Sequence, residues 1–328
     1  MCIGAATAQR ACPTMPAPCP VLCLSDGQAG NRRQVEALAH ALGHASAPHL
    51  DLQPAFAARM LAPRRFPGAK TALGPGLHAL LAAPPALAIG CGRQAALATR
   101  LLRAAGSRVV QILDPRIDAR HWDALVVPAH DPLRAANVIT LHGSLHPVDD
   151  LWLARARHDF PGIGALPGPR VALLVGAPGR HWPMPAGDFD AAVARLAARV
   201  RASGGSLLIS ASRRTPAHWR EALAMHAAAL TWRDARDGDN PYRGLLGWAD
   251  AIVCSADSVN MLSEACATRA PVQVIGGDRL QGRPRAFLDH LHAHGRVRDF
   301  DGELADFAVT PLRETARVAE LLRVRLGL

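Results

Sequence analysis

Four stretches of the chain bring together residues whose types and spacing can do chemistry. SDGQAGNRRQ (25–34) follows the apolar run VLCL. Gly27 and Gly30 let the backbone approach a ligand and take up positive φ. The helix predicted to follow aims free N–H groups at an anion; Asn31 can cap it, with Gln34 three residues on. Asp26 is ill placed beside a phosphate, so it reads as a partner for a sugar hydroxyl or as a general base. Two residues separate Gly27 from Gly30 where GxGxxG has one, and no GK[ST] follows, so neither fingerprint is present. In SASRRTP (210–216), Arg213 and Arg214 leave a strand directly and Thr215-Pro216 can start a helix. Two guanidinium forks at a helix start suit a diphosphate.

CSADSVNMLSEACATRAPV (254–272) is the most specific stretch. Ser255, Asp257 and Ser258 cluster where a strand ends, and Asp257 or Ser258 can cap the next helix. Val259, Leu262 and Cys266 mark its buried face, and Glu264 in the second turn can take two ribose hydroxyls. In DGDNPYRGLLGWAD (237–250), Tyr242 is the sole tyrosine and sits beside Asn240-Pro241, to stack on a base or to pack on the following helix. Asp114, His130 and Asp131 end strands in ILDP and VVPAHD; they read as acceptor contacts or as turn chemistry. Arg180 and His181 in GAPGRHW suit a phosphate. His290 and His294 in DHLHAHG share a helix face, but without an HExxH pattern they read as surface histidines, and no metal site is expected. Each stretch also has a plain reading as a capped turn between strand and helix.

These stretches need elements to hold them. Short Val/Ile/Leu runs alternate with longer helical stretches, the rhythm of parallel sheets covered by helices. Gly- and Pro-dense FPGIGALPGPR (160–170) interrupts it. The expected organisation is a disordered leader at 1–19, one α/β domain at 20–165 and a second at 166–328, with the last helix free to pack back on the first domain. That helix is expected to have Thr310 as its cap and Pro311 at its first position. Open parallel sheets bind ligands beyond the carboxyl ends of their strands, which is where the stretches above fall.

A chain of 328 residues fits two domains, and 49% hydrophobic residues are enough for real cores. Net charge is +10 with Lys70 the only lysine, so arginine forks dominate and an anionic partner is indicated. Without interleaved aromatics, nucleic-acid binding is not expected. Seven cysteines, irregularly spaced and without a CxxC pair, read as buried thiols in a reducing cytosol. No signal peptide or transmembrane span is expected; peripheral membrane contact stays open.

LSDGQAGNRRQ, QILDPR, VPAHD, NVITLHG, SRRTP, NPY and ADSVNMLSEA, in this order, resemble the mitochondrial fission (elongated-mitochondria type) family, whose bacterial branch is described as glycosyltransferases. The resemblance runs from about residue 20 to 310. It implies a GT-B-like architecture, two Rossmann-like parallel-sheet domains facing a cleft, and a metal-independent transfer from a nucleotide diphosphate sugar, with no permanently bound cofactor. On that resemblance Glu264 holds the donor ribose; Ser255, Asp257 and Ser258 lie near phosphate or sugar; Arg213 and Arg214 neutralise the diphosphate. Gly27, Gly30 and Asn31 face sugar or acceptor, the acceptor being open to a glycan or lipid-linked glycan. Asp26 stands where many such enzymes carry a His base, and Arg269 where related helices often carry Gly. The composition reads as bacterial, and a cytoplasmic location is expected, with peripheral contact at the inner membrane open. The alternative reading is an adaptor that kept the fold without the chemistry; a nicotinamide-dependent oxidoreductase is disfavoured by the missing fingerprint.

Overall fold

The computed structural model describes residues 20–328. The expected leader and Cys2, Cys12 and Cys19 lie outside the described residues. The first lobe runs β1 (Val21–Ser25), α1 (Ala29–Ala41), β2 (His49–Asp51), α2 (Phe56–Leu61), α3 (Pro75–Ala82), β3 (Leu87–Cys91), α4 (Arg93–Ala104), β4 (Arg108–Ile112), β5 (Ala124–Pro128) and β6 (Val138–Leu141). Helices α5 (Asp150–Asp159) and α6 (Pro161–Gly164) follow. The second lobe adds β7 (Arg170–Val175), α7 (Ala186–Ala202), β8 (Ser206–Ala211), α8 (Ala217–Leu223), β9 (Leu230–Trp232), α9 (Tyr242–Trp248), β10 (Ala251–Ser255), α10 (Val259–Cys266), β11 (Val272–Ile275), α11 (Arg283–Ala293) and β12 (Val297–Asp299). Helix α12 (Thr315–Leu326) ends the chain.

Each lobe carries one six-stranded sheet, in the orders β2-β1-β3-β4-β5-β6 and β12-β11-β10-β7-β8-β9. Every strand pair is parallel. Strand periodicity explains the layering in the first lobe. Val21 and Cys23 face the cluster containing Val35 and Leu38 of α1 and Val318 and Leu322 of α12. Leu22 and Leu24, one residue out of phase, face Leu77 of α3 and Leu97 of α4. Burial on both faces is why β1 reads as an unbroken apolar run. In the second lobe Phe189, Val193, Leu196, Ala197 and Val200 of α7, which share one helix face by their three- and four-residue spacing, are all buried.

The chain changes core between the sheets. Leu153 of α5 and Ile163 of α6 belong to the second-lobe cluster, whereas α12 returns to the first lobe. Burying Val318, Leu322 and Leu326 there contributes roughly 5–9 kcal/mol before entropy costs. Two local expectations are corrected. Helix α12 begins at Thr315, not Pro311, because residues 310–314 cross between lobes outside any helix or strand: Leu312 N–H donates to Cys266 O at 2.9 Å, and Arg313 reaches Ala267 O and Asp150. Asn31 does not cap α1; Gln28 holds that position and Asn31 lies inside the helix. After β6 ends at Leu141 the chain turns to meet the other lobe, where Ser144 N–H donates to Ser263 Oγ at 3.0 Å. No helix among the described residues is long and apolar enough to cross a membrane.

Candidate functional site

Strand order reverses direction between β1 and β3 in the first sheet and between β7 and β10 in the second. Loops leaving these strands therefore splay apart and open a crevice at each switch point. The first holds the β1–α1 loop and Gly92; the second holds the loops after β7, β8 and β10.

On the first-lobe side, Asp26 Oδ1 accepts from Gln28 N–H at 3.1 Å and from Asn31 Nδ2 at 3.0 Å. Its Oδ2 has no hydrogen-bond partner among the described residues. Gly27 has φ +79°, a value that favours glycine. Gly92, at φ +92°, is required twice over, since a Cβ there would sit 2.6 Å from Asn31 Nδ2. Cys91 lies alongside, its thiol donating to Asn31 Oδ1 at 3.4 Å. Cys23, Cys91, Cys254 and Cys266 are all buried.

On the second-lobe side three loops are tied together. Gly176 N–H donates to Ser255 Oγ at 2.7 Å, Ser255 Oγ donates to Asp257 Oδ1 at 2.7 Å, and Ala177 N–H donates to Asp257 Oδ2 at 3.0 Å. Arg214 reaches Asp257 Oδ2 at 3.3 Å from the β8–α8 loop. Burial raises the Asp257 carboxyl, opposed by the Ala177 amide, Ser255 and Arg214. Asp257 thus fastens loops together. Ser258 caps α10, its Oγ accepting from Met261 N–H. Thr215 is 1% exposed and its hydroxyl donates to Gly176 O at 2.6 Å, so it braces the loop and offers nothing to a ligand. Arg213, Arg214, Arg180 and His181 are exposed at this rim, and Arg213 has no ion-pair partner among the described residues.

The two sides meet through α1 and α10. Arg33 Nη1 lies 2.9 and 3.0 Å from the two Glu264 oxygens, and Tyr242 Oη donates to the same carboxylate at 2.5 Å. Arg33 also stands over the Tyr242 ring, 5.6 Å from its centroid. Burial next to this carboxylate pushes the Tyr242 phenol well up. Gln34 Nε2 donates to Asn260 Oδ1 at 3.3 Å, and a Cβ on Gly30 would lie 1.9 Å from Asn260 Nδ2. Gly30 thus serves the approach of the lobes. Asn240 accepts from Tyr242 N–H at 2.9 Å and shapes the turn before α9.

The remaining expected acceptor residues join the lobes as well. Arg283 of α11 reaches Asp114 at 3.2 Å and Asp131 at 3.3 Å. His130 packs on Phe287 of α11, with ring centroids 5.5 Å apart, and burial lowers its pKa. Next to it His142, after β6, meets His290 of α11 at 2.6 Å between ring nitrogens. Burial and the neighbouring His294, His142 and His130 bring His290 down to about 4. The sequence reading missed Arg33, Asn260, His142 and Arg283, since their partners are more than a hundred residues away. A cavity of 390 Å³ lined by Phe160, Ile163, Trp232 and Pro241 shares none of the residues expected at the site.

The sequence model of the family described as Mitochondrial fission ELM1 matches residues 29–326. The chain belongs to this family. A relative in Arabidopsis thaliana, "Mitochondrial fission protein ELM1", is 31% identical over 284 residues, covering 74% of this chain and 64% of that protein. The chain therefore spans less than two thirds of that relative. An uncharacterized protein of Rickettsia prowazekii is 22% identical over 289 residues, covering 74% of this chain and 80% of that one. Among solved structures, UDP-GlcNAc 2-epimerase of Methanocaldococcus jannaschii in complex with UDP-GlcNAc and UDP superposes with TM-score 0.55 at 11% identity, covering 94% and 99% of the two chains. The spinosyn forosaminyltransferase SpnP superposes with TM-score 0.51 at 14% identity, covering 95% of each. The family member described here has the GT-B-like arrangement of two Rossmann-like lobes facing a cleft.

Proposed function

We propose that this protein binds a nucleotide diphosphate sugar in the cleft and transfers its sugar to a glycan or lipid-linked glycan acceptor. One observation carries the reading. The loops after β7, β8 and β10 are fastened through Ser255 and Asp257 at the second switch point, and this leaves Arg180, Arg213 and Arg214 exposed on one rim. Guanidinium forks held on a rigid floor suit a departing diphosphate, whose charge develops as the bond breaks. The GT-B-like structures superposed above carry UDP or a sugar-transferase name, which agrees with this use of the fold.

In this reading the acceptor hydroxyl attacks the anomeric carbon. The bond to the diphosphate breaks, and Asp26 takes the hydroxyl proton on its unpartnered Oδ2. Ribose hydroxyls compete with Arg33 for Glu264. No permanently bound cofactor takes part, and peripheral contact with a membrane would bring a lipid-linked acceptor to the cleft.

Calorimetric titration with UDP, GDP, CDP and ADP tests the nucleotide site. Charge-assisted bonds are each worth about 1.5–3 kcal/mol, so Arg213→Ala and Arg214→Ala should each weaken the preferred nucleotide by roughly 10- to 150-fold. Failure of every nucleotide to bind would overturn the reading. A second reading, a non-catalytic adaptor, is favoured by one observation: Glu264 is already occupied by Arg33 and Tyr242. It predicts no sugar hydrolysis or transfer together with a stable protein complex in pull-down.

A further inference from the structure

His142, His290 and His294 come from two lobes and converge: one ring nitrogen from each lies within 4.8 Å of the others. His290 and His294 sit one turn apart on α11, the spacing that puts two side chains on one helix face. His142 arrives from the loop after β6, 148 residues earlier than His290. The rings crowd together, with His142 and His290 stacked at a centroid distance of 4.8 Å and His290 and His294 tilted at 45° with centroids 4.2 Å apart. His294 Nδ1 lies 2.7 Å from the His290 carbonyl, which can only accept, so this nitrogen carries the proton and Nε2 is left with its lone pair. A ring nitrogen donating to a backbone carbonyl is the usual outer support of a metal-bound histidine.

We propose that this cluster is a first-row transition-metal site, with Zn²⁺ the fitting ion, that clamps the two lobes together. An all-imidazole set suits zinc, copper or nickel and not magnesium or calcium. With zinc–nitrogen bonds of 2.0–2.1 Å, tetrahedral neighbours stand about 3.3 Å apart. His142 Nδ1 and His290 Nε2, now 2.6 Å apart as a hydrogen-bonded pair, must separate by about 0.7 Å. One of them moves its proton to its other ring nitrogen, which frees a lone pair with no net proton loss. The fourth position opens to water beside the exposed His294. The neighbouring Arg283 bridge to Asp114 and Asp131 already holds α11 in place against the first lobe. The metal would add a second tie at the same seam.

The test uses the full chain, free of any affinity tag and stripped with chelator. ZnCl₂ is titrated calorimetrically, CoCl₂ by its ligand-field absorption, and MgCl₂ serves as control. The expected result is one Zn²⁺ per chain, tetrahedral Co²⁺ absorption, no heat from Mg²⁺, and a Zn²⁺-dependent rise in melting temperature. His142→Ala and His294→Ala should each weaken Zn²⁺ by at least about 100-fold and remove the rise. His294 is exposed, so its variant keeps the fold and carries the test if His142→Ala misfolds. No stoichiometric Zn²⁺ uptake by the wild type, or uptake unchanged in His294→Ala, would overturn the proposal.

Discussion

Replacing Arg33 with Met removes the guanidinium and keeps most of the apolar stem. Glu264 stays buried, its side chain 5% exposed, with the Tyr242 hydroxyl as its one remaining partner among the described residues. At the observed 2.9 Å and an effective dielectric near 20, the lost attraction is about 6 kcal/mol gross. Arg33 is 49% exposed, so screening and the entropy of holding the side chain reduce this considerably. A net loss of about 2 kcal/mol remains, near 30-fold in the folding equilibrium. The assay is a double-mutant cycle by urea unfolding, with Glu264→Gln as the second arm. Glu264→Gln should cost less than Arg33→Met, because it removes the desolvated charge together with the bond. The double variant should resemble Glu264→Gln alone, a coupling of about 1–2 kcal/mol. Single effects that add within about 0.5 kcal/mol would show that the two side chains do not act on each other, and the account of a buried carboxylate held by its partner in the other lobe would fail.

Gly176→Ala places a Cβ about 2.0 Å from Asp257 Oδ1, so the carboxylate must leave Ser255 or Ala177; two charge-assisted bonds make this worth roughly 3 kcal/mol in chemical denaturation, with nucleotide affinity lost in parallel. Gly179→Ala, where a Cβ meets nothing within 4 Å, should leave both unchanged. Burial brings His146 from the usual 6.5 to about 4, where its Nε2 donates to Leu312 O. A lowered folded pKa means stability present above pH 6.5 and lost as pH falls toward 4, up to about 3 kcal/mol. Unfolding curves of wild type and His146→Gln should therefore converge across that window, and parallel curves would exclude His146 as the titrating group.

The sequence by itself determined most of the elements and which loops leave the ends of strands. Apolar runs such as VLCL and ALLV are buried on both faces, so they announce parallel strands without any tertiary information. Gly27 and Ser258 were legible because positive φ and helix capping are local demands, and the loops after β1, β7 and β10 were legible as the segments that join apolar strand runs to the helices after them. Tertiary structure alone decided what those residues touch. Glu264 reads as a ribose carboxylate until Arg33, 231 positions away, is brought to 2.9 Å. Asp114 and Asp131 read as acceptor contacts until Arg283 arrives from α11, and His290 with His294 reads as a surface pair until His142 completes a trio. Thr310 and Pro311 look like a helix start, but bonds from Leu312 and Arg313 to the end of α10 hold this crossing as irregular chain and delay α12 to Thr315. Propensity and capping act over a few residues, whereas charge pairing and lobe contact depend on which distant strand ends the fold sets side by side.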